Sequence, residues 1–402
     1  MTVKDRILVL NSGSSSLKFA IMDPESEPPI LSGLAENLGK PDAVIKFTWQ
    51  GDHGKTVISI PGATHQTAIR QVLDLIAGDE AGTEQITGVG HRVVHGGEAF
   101  TSSVRIDGSV IAKIEACNPL APLHNPANVQ GIRAIAEQLP NIPQVAVFDT
   151  AFHQTLPESA FLYALPYDLY REHGLRRYGF HGTSHRYVAA QAAERLNQKP
   201  DDLNLVTVHL GNGCSATAIQ AGRSVDTTMG MTPLEGLVMG TRSGDVDPGL
   251  LLHLSSSLGY DNEQLSHMLN KQSGLLGLSG ISNDMRTLMD QASSGNERAK
   301  LAIEVFCYRL AKAISGLWVA ANPVHGVIFT GGIGENAAPI RSRVCSQLNY
   351  LGIRIENKNN DLNGRNTDGV ISTEDSVPVL VIPTNEELMI ARDTLDIISQ
   401  NK

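Results

Sequence analysis

The sequence predicts a two-domain α/β protein built by duplication, and two observations carry the prediction. The first is an arrangement stated twice: an apolar strand, a tight loop of small polar residues, and a second strand. It runs ILVL at 7–10, NSGSSS at 11–16 and LKFAIM at 17–22, and again LVTV at 205–208, HLGNGCS at 209–215 and ATAI at 216–219. One copy opens each half of the chain, which argues against two unrelated hairpins. The second observation is an alternation of short buried strands with helical segments along both halves, the pattern of sheets covered by helices. At 402 residues the chain exceeds the size at which a single core keeps growing.

Taken in order, the runs at 86–94 and 144–148 read as buried strands and 128–138 as a helix. The second half repeats this with helices at 186–196 and 296–321 and strands at 205–208 and 327–330. Such alternation predicts mainly parallel sheets. The boundary falls near Asp149 and Thr150, giving domains of 1–150 and 151–385. After VLVI at 379–382 and the break at Pro383, a helix over 386–402 puts Leu388, Ala391, Leu395 and Ile398 on one face. Thr384 or Asn385 is its cap, and it is expected to pack back on the first domain. The Asn-rich stretch 357–368 around Gly364 is expected to be a mobile loop.

Composition narrows the class. A hydrophobic content of 41% with 38 glycines and 19 prolines is ordinary for a globular α/β enzyme, and a formal charge of −10 argues against nucleic-acid or membrane-surface partners. Any anionic ligand must therefore be met by cations concentrated locally. The cysteines 117, 214, 307 and 345 form no CxxC pair, which points to free thiols in a reducing compartment. No apolar run approaches a membrane span and the N-terminus carries no secretory signal, so a cytoplasmic location is expected.

Several dense clusters can carry chemistry. In the loop 11–16, Ser14 and Ser16 offer hydroxyl and N–H donors, with Lys18 just beyond, and the glycines of 209–213 let backbone approach a ligand closely. HRVVHGG at 91–97 sets Arg92 beside glycines, where it either meets a ligand or holds a carboxylate. PLHN at 122–125 and FHGTSH at 180–185 place His124 and His181 in turns. Phe148-Asp149 ends a buried strand with a carboxylate, where α/β proteins hold ligands. GTRSGD at 240–245 supplies Arg242, and TGGIGEN at 330–336 follows a strand and opens a helix. There is no GxxxxGK followed by Ser or Thr, and no HExxH.

These motifs together resemble the acetate and propionate kinases, within the superfamily that unites actin, heat-shock chaperone ATPases and sugar kinases. The resemblance spans the chain: LVLNSGSSSLKF at 8–19, GHRVVHGG at 90–97, APLHNP at 121–126, VFDTAFHQT at 147–155, YGFHGTSH at 178–185, HLGNG at 209–213, MTPLEGLVMGTRSGDVDPG at 231–249, FTGGIGEN at 329–336 and PTNEE at 383–387. It implies a duplicated ribonuclease-H-like fold with the active site in the cleft between the halves. It also implies direct in-line phosphoryl transfer from ATP to acetate, giving ADP and acetyl phosphate, in a homodimer that uses Mg²⁺, or Mn²⁺ in its place. Carried over residue by residue, the resemblance places the metal near Asn11 and Glu386, with Asp149 beside them. Arg92 would bind the acid, His181 and Arg242 would stabilise the transition state, and His124 would lie in the same site. Lys18, Ser14 and Ser16 would approach the phosphates. His209, Leu210, Gly211, Asn212 and Gly213 would contact the nucleotide, as would Asp284, Met285 and Arg286. Gly332, Ile333, Gly334, Glu335 and Asn336 would complete that contact. Val94, Leu123, Phe180 and Pro233 would line the pocket for the methyl group.

Elementary chemistry agrees with the resemblance. Phosphoryl transfer needs positioning and neutralisation of charge on the equatorial oxygens, and arginines, donor histidines and a metal supply both. A carboxylate acceptor is already ionised at neutral pH, so no general base is required. Asp149 is accordingly expected to orient the metal, its waters or an arginine. The alternatives are a propionate or other short-chain acid kinase of the same family and, less well matched, a sugar kinase or chaperone-type ATPase. A sugar hydroxyl would need a base and a polar pocket, whereas the pocket expected here is apolar with arginines.

Overall fold

The computed structural model describes residues 5–78 and 85–400. The chain divides into two units, Met1–Phe152 with Asn385–Lys402, and His153–Thr384.

The first unit is built on strands β1 (Arg6–Ser12), β2 (Leu17–Met22), β3 (Leu31–Glu36), β4 (Val44–Trp49), β5 (Thr56–Ser59), β6 (Ile86–Val93), β7 (Val104–Arg105) and β8 (Gln144–Phe148), in the order β5-β4-β3-β2-β1-β6-β8-β7. The second carries β9 (Asn204–Leu210), β10 (Cys214–Gln220), β11 (Arg223–Thr227), β12 (Gly326–Thr330) and β13 (Val379–Val381), in the order β11-β10-β9-β12-β13. The two sheets share a plan: β3-β2-β1-β6-β8 corresponds strand for strand to β11-β10-β9-β12-β13. The duplication legible in the loops is thus a duplication of topology.

The sheets are mixed, which corrects the expectation of mainly parallel pairing. In the first sheet only β1–β6 and β6–β8 run parallel, and in the second only β9–β12 and β12–β13. Short loops return the chain directly along its neighbour and force antiparallel pairing, and parallel neighbours arise only where a helix intervenes. The helix His65–Ala77 does this between β5 and β6, and Asn125–Gln138 does so ahead of β8. The central β1 has Ile7, Leu8, Val9 and Leu10 all buried, so it reads as an unbroken apolar run covered on both faces.

The C-terminal helix spans Glu386–Ser399 within the expected 386–402, of which 401 and 402 lie outside the described residues. Asn385, rather than Thr384, caps it by accepting from the Leu388 N–H at 3.0 Å. It packs on β6 and β1 of the first unit through Leu388, Ile390, Ala391, Thr394 and Ile398, while Leu395 is only half-buried. Close approach requires glycine on β6: a Cβ on Gly90 would stand 2.5 Å from Thr394 Oγ1 and 2.6 Å from Ile390 Cγ2.

The stretch 357–368 is folded rather than a loose loop. It begins with the short helix Asn357–Asp361 and wraps the guanidinium of Arg341, which is fully buried. Arg341 donates from Nε to Asn360 Oδ1 at 2.8 Å, from Nη2 to Asn363 Oδ1 at 2.6 Å and to Asn360 O at 2.7 Å, and from Nη1 to Gly334 O at 2.7 Å. Burial lowers its pKa to about 10. The asparagines that suggested a loop are the acceptors of a buried cation. Among the described residues no helix is long and apolar enough to cross a membrane.

Replacing Arg341 with Leu removes four hydrogen bonds from a charged donor and leaves buried acceptors unmet, at a cost of roughly 3–5 kcal/mol. The denaturant midpoint of Arg341→Leu should fall accordingly. A midpoint equal to wild type would show that the segment 357–368 does not depend on this cation.

Candidate active site

On the first unit, β1, β6 and β8 are parallel neighbours, so their carboxyl ends bring Ser12, Val93 and Phe148 to one edge of the sheet. This is where open α/β sheets hold ligands. Arg92, one residue from the end of β6, reaches Asp149, the first residue after β8. Its Nε donates to Oδ1 at 2.9 Å and its Nη2 to Oδ2 at 2.5 Å. Asp149 is buried, whereas the Arg92 side chain keeps 21% of its surface exposed, so part of the fork remains open to a ligand. Burial opposes the charge of Arg92, yet the carboxylates of Asp149, Glu386 and Glu387 outweigh it and hold its pKa above the ordinary value.

Glu386 opens the C-terminal helix and meets this pair from the far end of the chain. Burial pushes its carboxyl up to about 7 against the pull of Arg92, with Asp149 and Glu387 adding like charge. Lys18 pairs with Glu387. Asn11 lies opposite Lys18 in the β1–β2 ladder. Arg92, Asp149, Glu386, Lys18 and Asn11, distant in sequence, thus fall in one region of this unit.

The loop after β1 is closed by the Gly13 N–H donating to Ser16 O at 2.8 Å and is gripped by His65 Nε2 at 2.6 Å from Gly13 O. Ser14 is exposed and Ser16 half-buried. Two asparagines from the helix Asn125–Gln138 tie the site together and escaped the sequence reading. Asn128 accepts from the Val94 N–H at 3.1 Å and donates to Ser12 O at 2.8 Å, and Asn125 accepts from the His95 N–H and donates to its C=O. The signal was there: two buried amides three residues apart on an otherwise apolar helical face. Val94 is buried, His124 is half-buried at the head of that helix, and Leu123 is 56% exposed.

On the second unit, His181 heads the helix Gly182–Arg195 with φ +56° and ψ +22°, the left-handed conformation that costs a non-glycine residue about 1–3 kcal/mol. Its ring stacks on His209 with centroids 4.4 Å apart. Arg242 donates from Nη1 to Pro233 O at 2.5 Å, which ties the loop of one expected pocket residue to a catalytic candidate. A Cβ on Gly213 would meet Arg242 Nη2 at 2.7 Å and His181 Nε2 at 3.4 Å, so both groups converge on one bare stretch of backbone. Phe180 is buried, its C=O accepting from His153 Nε2 at 2.9 Å.

A cavity of about 440 Å³ lies beside this cluster. Gly211, Asn212, Asp284, Met285, Arg286, Gly332, Ile333 and Asn336 line it, joined by Asn283, Met289 and Ala337, which sequence reasoning did not name. Asp284 caps the helix Met285–Ser293, and the N–H and hydroxyl of Thr287 hold its carboxyl below the usual range. Glycine is required at Gly331, where φ is +75° and a Cβ would meet the Leu210 backbone at 2.8 Å. His209, Leu210, Gly213, Gly334 and Glu335 do not line the cavity. Glu335 Oε1 instead accepts from the N–H groups of Gly331 at 3.0 Å and Thr384 at 3.1 Å, latching the lining loop from behind.

The sequence profile of the Acetokinase family matches residues 6–392. The chain is 53% identical to the acetate kinase of Pseudomonas aeruginosa over 392 residues, covering 98% of each chain. It is 51% identical to that of Chromobacterium violaceum over 388 residues, covering 96% and 97%. Among solved structures it is similar to a propionate kinase from Francisella tularensis, with a TM-score of 0.93, and to the acetate kinase of Porphyromonas gingivalis, with 0.91. Each is 46% identical, with 98% of this chain and 100% of the other covered.

Because Glu335 faces the backbone, its replacement should act through the loop. Glu335→Ala is expected to weaken ATP binding about ten-fold by calorimetry, while Glu335→Gln, which keeps the acceptor oxygen, stays near wild type. Equal loss in both variants would show that the carboxylate charge matters instead.

Proposed function

The chain belongs to the acetokinase family, and from that premise we propose that it transfers the γ-phosphoryl group of ATP to acetate, reversibly and in line, giving acetyl phosphate and ADP. The observation that carries this reading beyond the comparisons is Asp149. Both its oxygens accept from Arg92, so it is engaged as an anchor and is poorly placed to abstract a proton. An acceptor that needs no deprotonation suits such a site, and a carboxylate is one. Asp149 holds the Arg92 fork rigid, and the open part of that fork receives the acid. On the second unit, the 440 Å³ cavity suits the nucleoside, and the convergence of Arg242 and His181 suits neutralisation of the transferring group.

The donor set also fits a divalent metal. Three carboxylates, Asp149, Glu386 and Glu387, are set against one guanidinium and one ammonium, and Glu386, whose pKa burial raises first, also feels the like charge of Asp149 and Glu387. Mg²⁺ is held by one or two carboxylates and completes its shell with water and phosphate oxygens. Asn11 and Glu386 would hold it here, Mn²⁺ taking the same oxygens, and when bound it would neutralise charge on the phosphates. A homodimer and a cytoplasmic location complete the proposal. The helix Pro248–Leu258 has no buried residue and exposes Leu250, Leu252 and Leu258, an apolar face of the kind a second copy covers, and all four cysteines are free and buried. Sedimentation at micromolar concentration should give twice the chain mass.

Propionate is the second reading, because a propionate kinase and an acetate kinase stand equally near in identity. Val94, buried at the end of β6, would decide between the acids. Wild type is expected to prefer acetate in kcat/KM, and Val94→Ala to move the ratio toward propionate by roughly 10- to 200-fold, mainly through KM. An unchanged ratio would remove Val94 from the pocket. In the same assay Arg242→Ala should lose most turnover with its fold intact, and near-normal turnover would sink the role given to it.

A further inference from the structure

His181 is held from behind by a chain of hydrogen bonds running into the core of the second unit. Ser215 Oγ lies 2.9 Å from His181 Nδ1 and 2.8 Å from His185 Nε2. His185 Nδ1 lies 2.8 Å from Thr207 Oγ1. Ser215 sits on β10, Thr207 on β9 and His185 on the first turn of the helix Gly182–Arg195. Ser215, His185 and Thr207 are fully buried.

The polarity of this chain follows from its inner end. Burial, with His153 and His209 adding to it, holds the His185 pKa well below its ordinary value, so its ring is neutral and carries one proton. The Thr207 hydroxyl has two acceptors in reach: His185 Nδ1 at 2.8 Å and Thr217 O at 3.5 Å, the outer limit of a hydrogen bond. It therefore donates to His185 Nδ1. That puts the His185 proton on Nε2, where it is given to Ser215 Oγ, and leaves the Ser215 hydroxyl proton directed at His181 Nδ1. A His181 that accepts at Nδ1 carries its own proton on Nε2, the nitrogen that converges with Arg242 on the Gly213 backbone.

We infer that Thr207, His185 and Ser215 form a hydrogen-bond chain of fixed direction whose task is to hold His181 as a neutral Nε2–H donor toward the transferring phosphoryl group. They are positioning residues: none touches substrate. The chain explains why three polar side chains are placed in a core that apolar groups could fill, and why His181 is kept in a strained backbone conformation. A donor whose direction is set beforehand needs no reorganisation during the reaction. The choice of a neutral donor also suits the surroundings: the His181 ring stacks on His209, converges with the Arg242 guanidinium on the Gly213 backbone and is joined to the buried His185 through Ser215, with the Cys214 thiol near Arg242. A second full positive charge there would repel the first.

The inference rests on the reading of His181 as a transition-state group, so its test separates the two. In protein labelled with ¹⁵N-histidine and free of ligands, the His181 ring, identified by its loss in His181→Asn, should report a protonated Nε2. In Ser215→Ala the hydrogen bond that favours the neutral form is gone, and the His181 pKa should rise by about one unit. Turnover should fall at least about ten-fold while KM for ATP and for acetate stays within about two-fold. Thr207→Val, which keeps the shape and removes the hydroxyl, should shift both readouts in the same direction, and Thr207→Ser should restore them. A protonated Nδ1 in wild type, a fall of the His181 pKa in Ser215→Ala, or Thr207→Val matching wild type would each overturn the chain. Full turnover in His181→Asn would overturn the reading beneath it, whatever the tautomer.

Discussion

The candidate site on the first unit depends on the balance of charge around one guanidinium. Asp149 takes the Nε–Nη2 edge of the Arg92 fork, Glu386 and Glu387 add their charge beside it, and among the described residues Lys18, half-exposed, pairs with Glu387. Left alone, such a cluster is unfavourable, because burying carboxylates without matching cations is costly. The positive charge that would balance it is what the divalent metal proposed above would bring. Much else in this unit follows. The glycines of β6 let the C-terminal helix come close enough to deliver Glu386, and the buried amides of Asn125 and Asn128 fix the strand ends around Arg92.

The two units use one topology for different chemistry. Strand β6 carries Arg92 one residue from its end and is followed by Val94, and the equivalent β12 ends in Thr330 followed by Gly331 and Gly332. Where the first unit presents charged side chains, the second presents bare backbone next to a cavity. A small anionic acid is recognised by charge-assisted contacts, which need side chains. A nucleoside needs room and close backbone approach, which side chains would deny. Repeating the sheet while changing what stands at the strand ends would, on the proposed function, give each ligand its own surface.

What the sequence disclosed and what it hid divide along physical lines. Local patterns were legible: the two hairpin loops, the helices around 128–138 and 296–321, and the arginines set among glycines. Strand direction was misjudged because alternation alone does not weigh the short antiparallel returns of β2 to β5. The asparagines of 357–368 looked like a loop because their partner, Arg341, is separated in sequence and hidden in the core. Glu335 looked like a ligand contact because its motif is dense, yet its carboxylate turns inward to backbone N–H groups. For Arg341, and for Glu335 through Thr384, a deciding partner lay outside the window that a motif covers.

The histidines show the same limit most sharply, and they show why it matters for catalysis. From sequence, His181 and His185 are two polar residues four apart, on one face of a helix start. Only the fold puts Ser215 between them and Thr207 behind them, and only the depth of His185 makes it neutral. A hydroxyl can donate or accept, and a neutral imidazole can carry its proton on either nitrogen, so no pair in the chain has an intrinsic direction. Direction is imposed by the inner end, where the Thr207 hydroxyl has one good acceptor and one poor one. The protonation pattern at the reacting surface is then a property of the core, transmitted through two side chains that never meet the substrate.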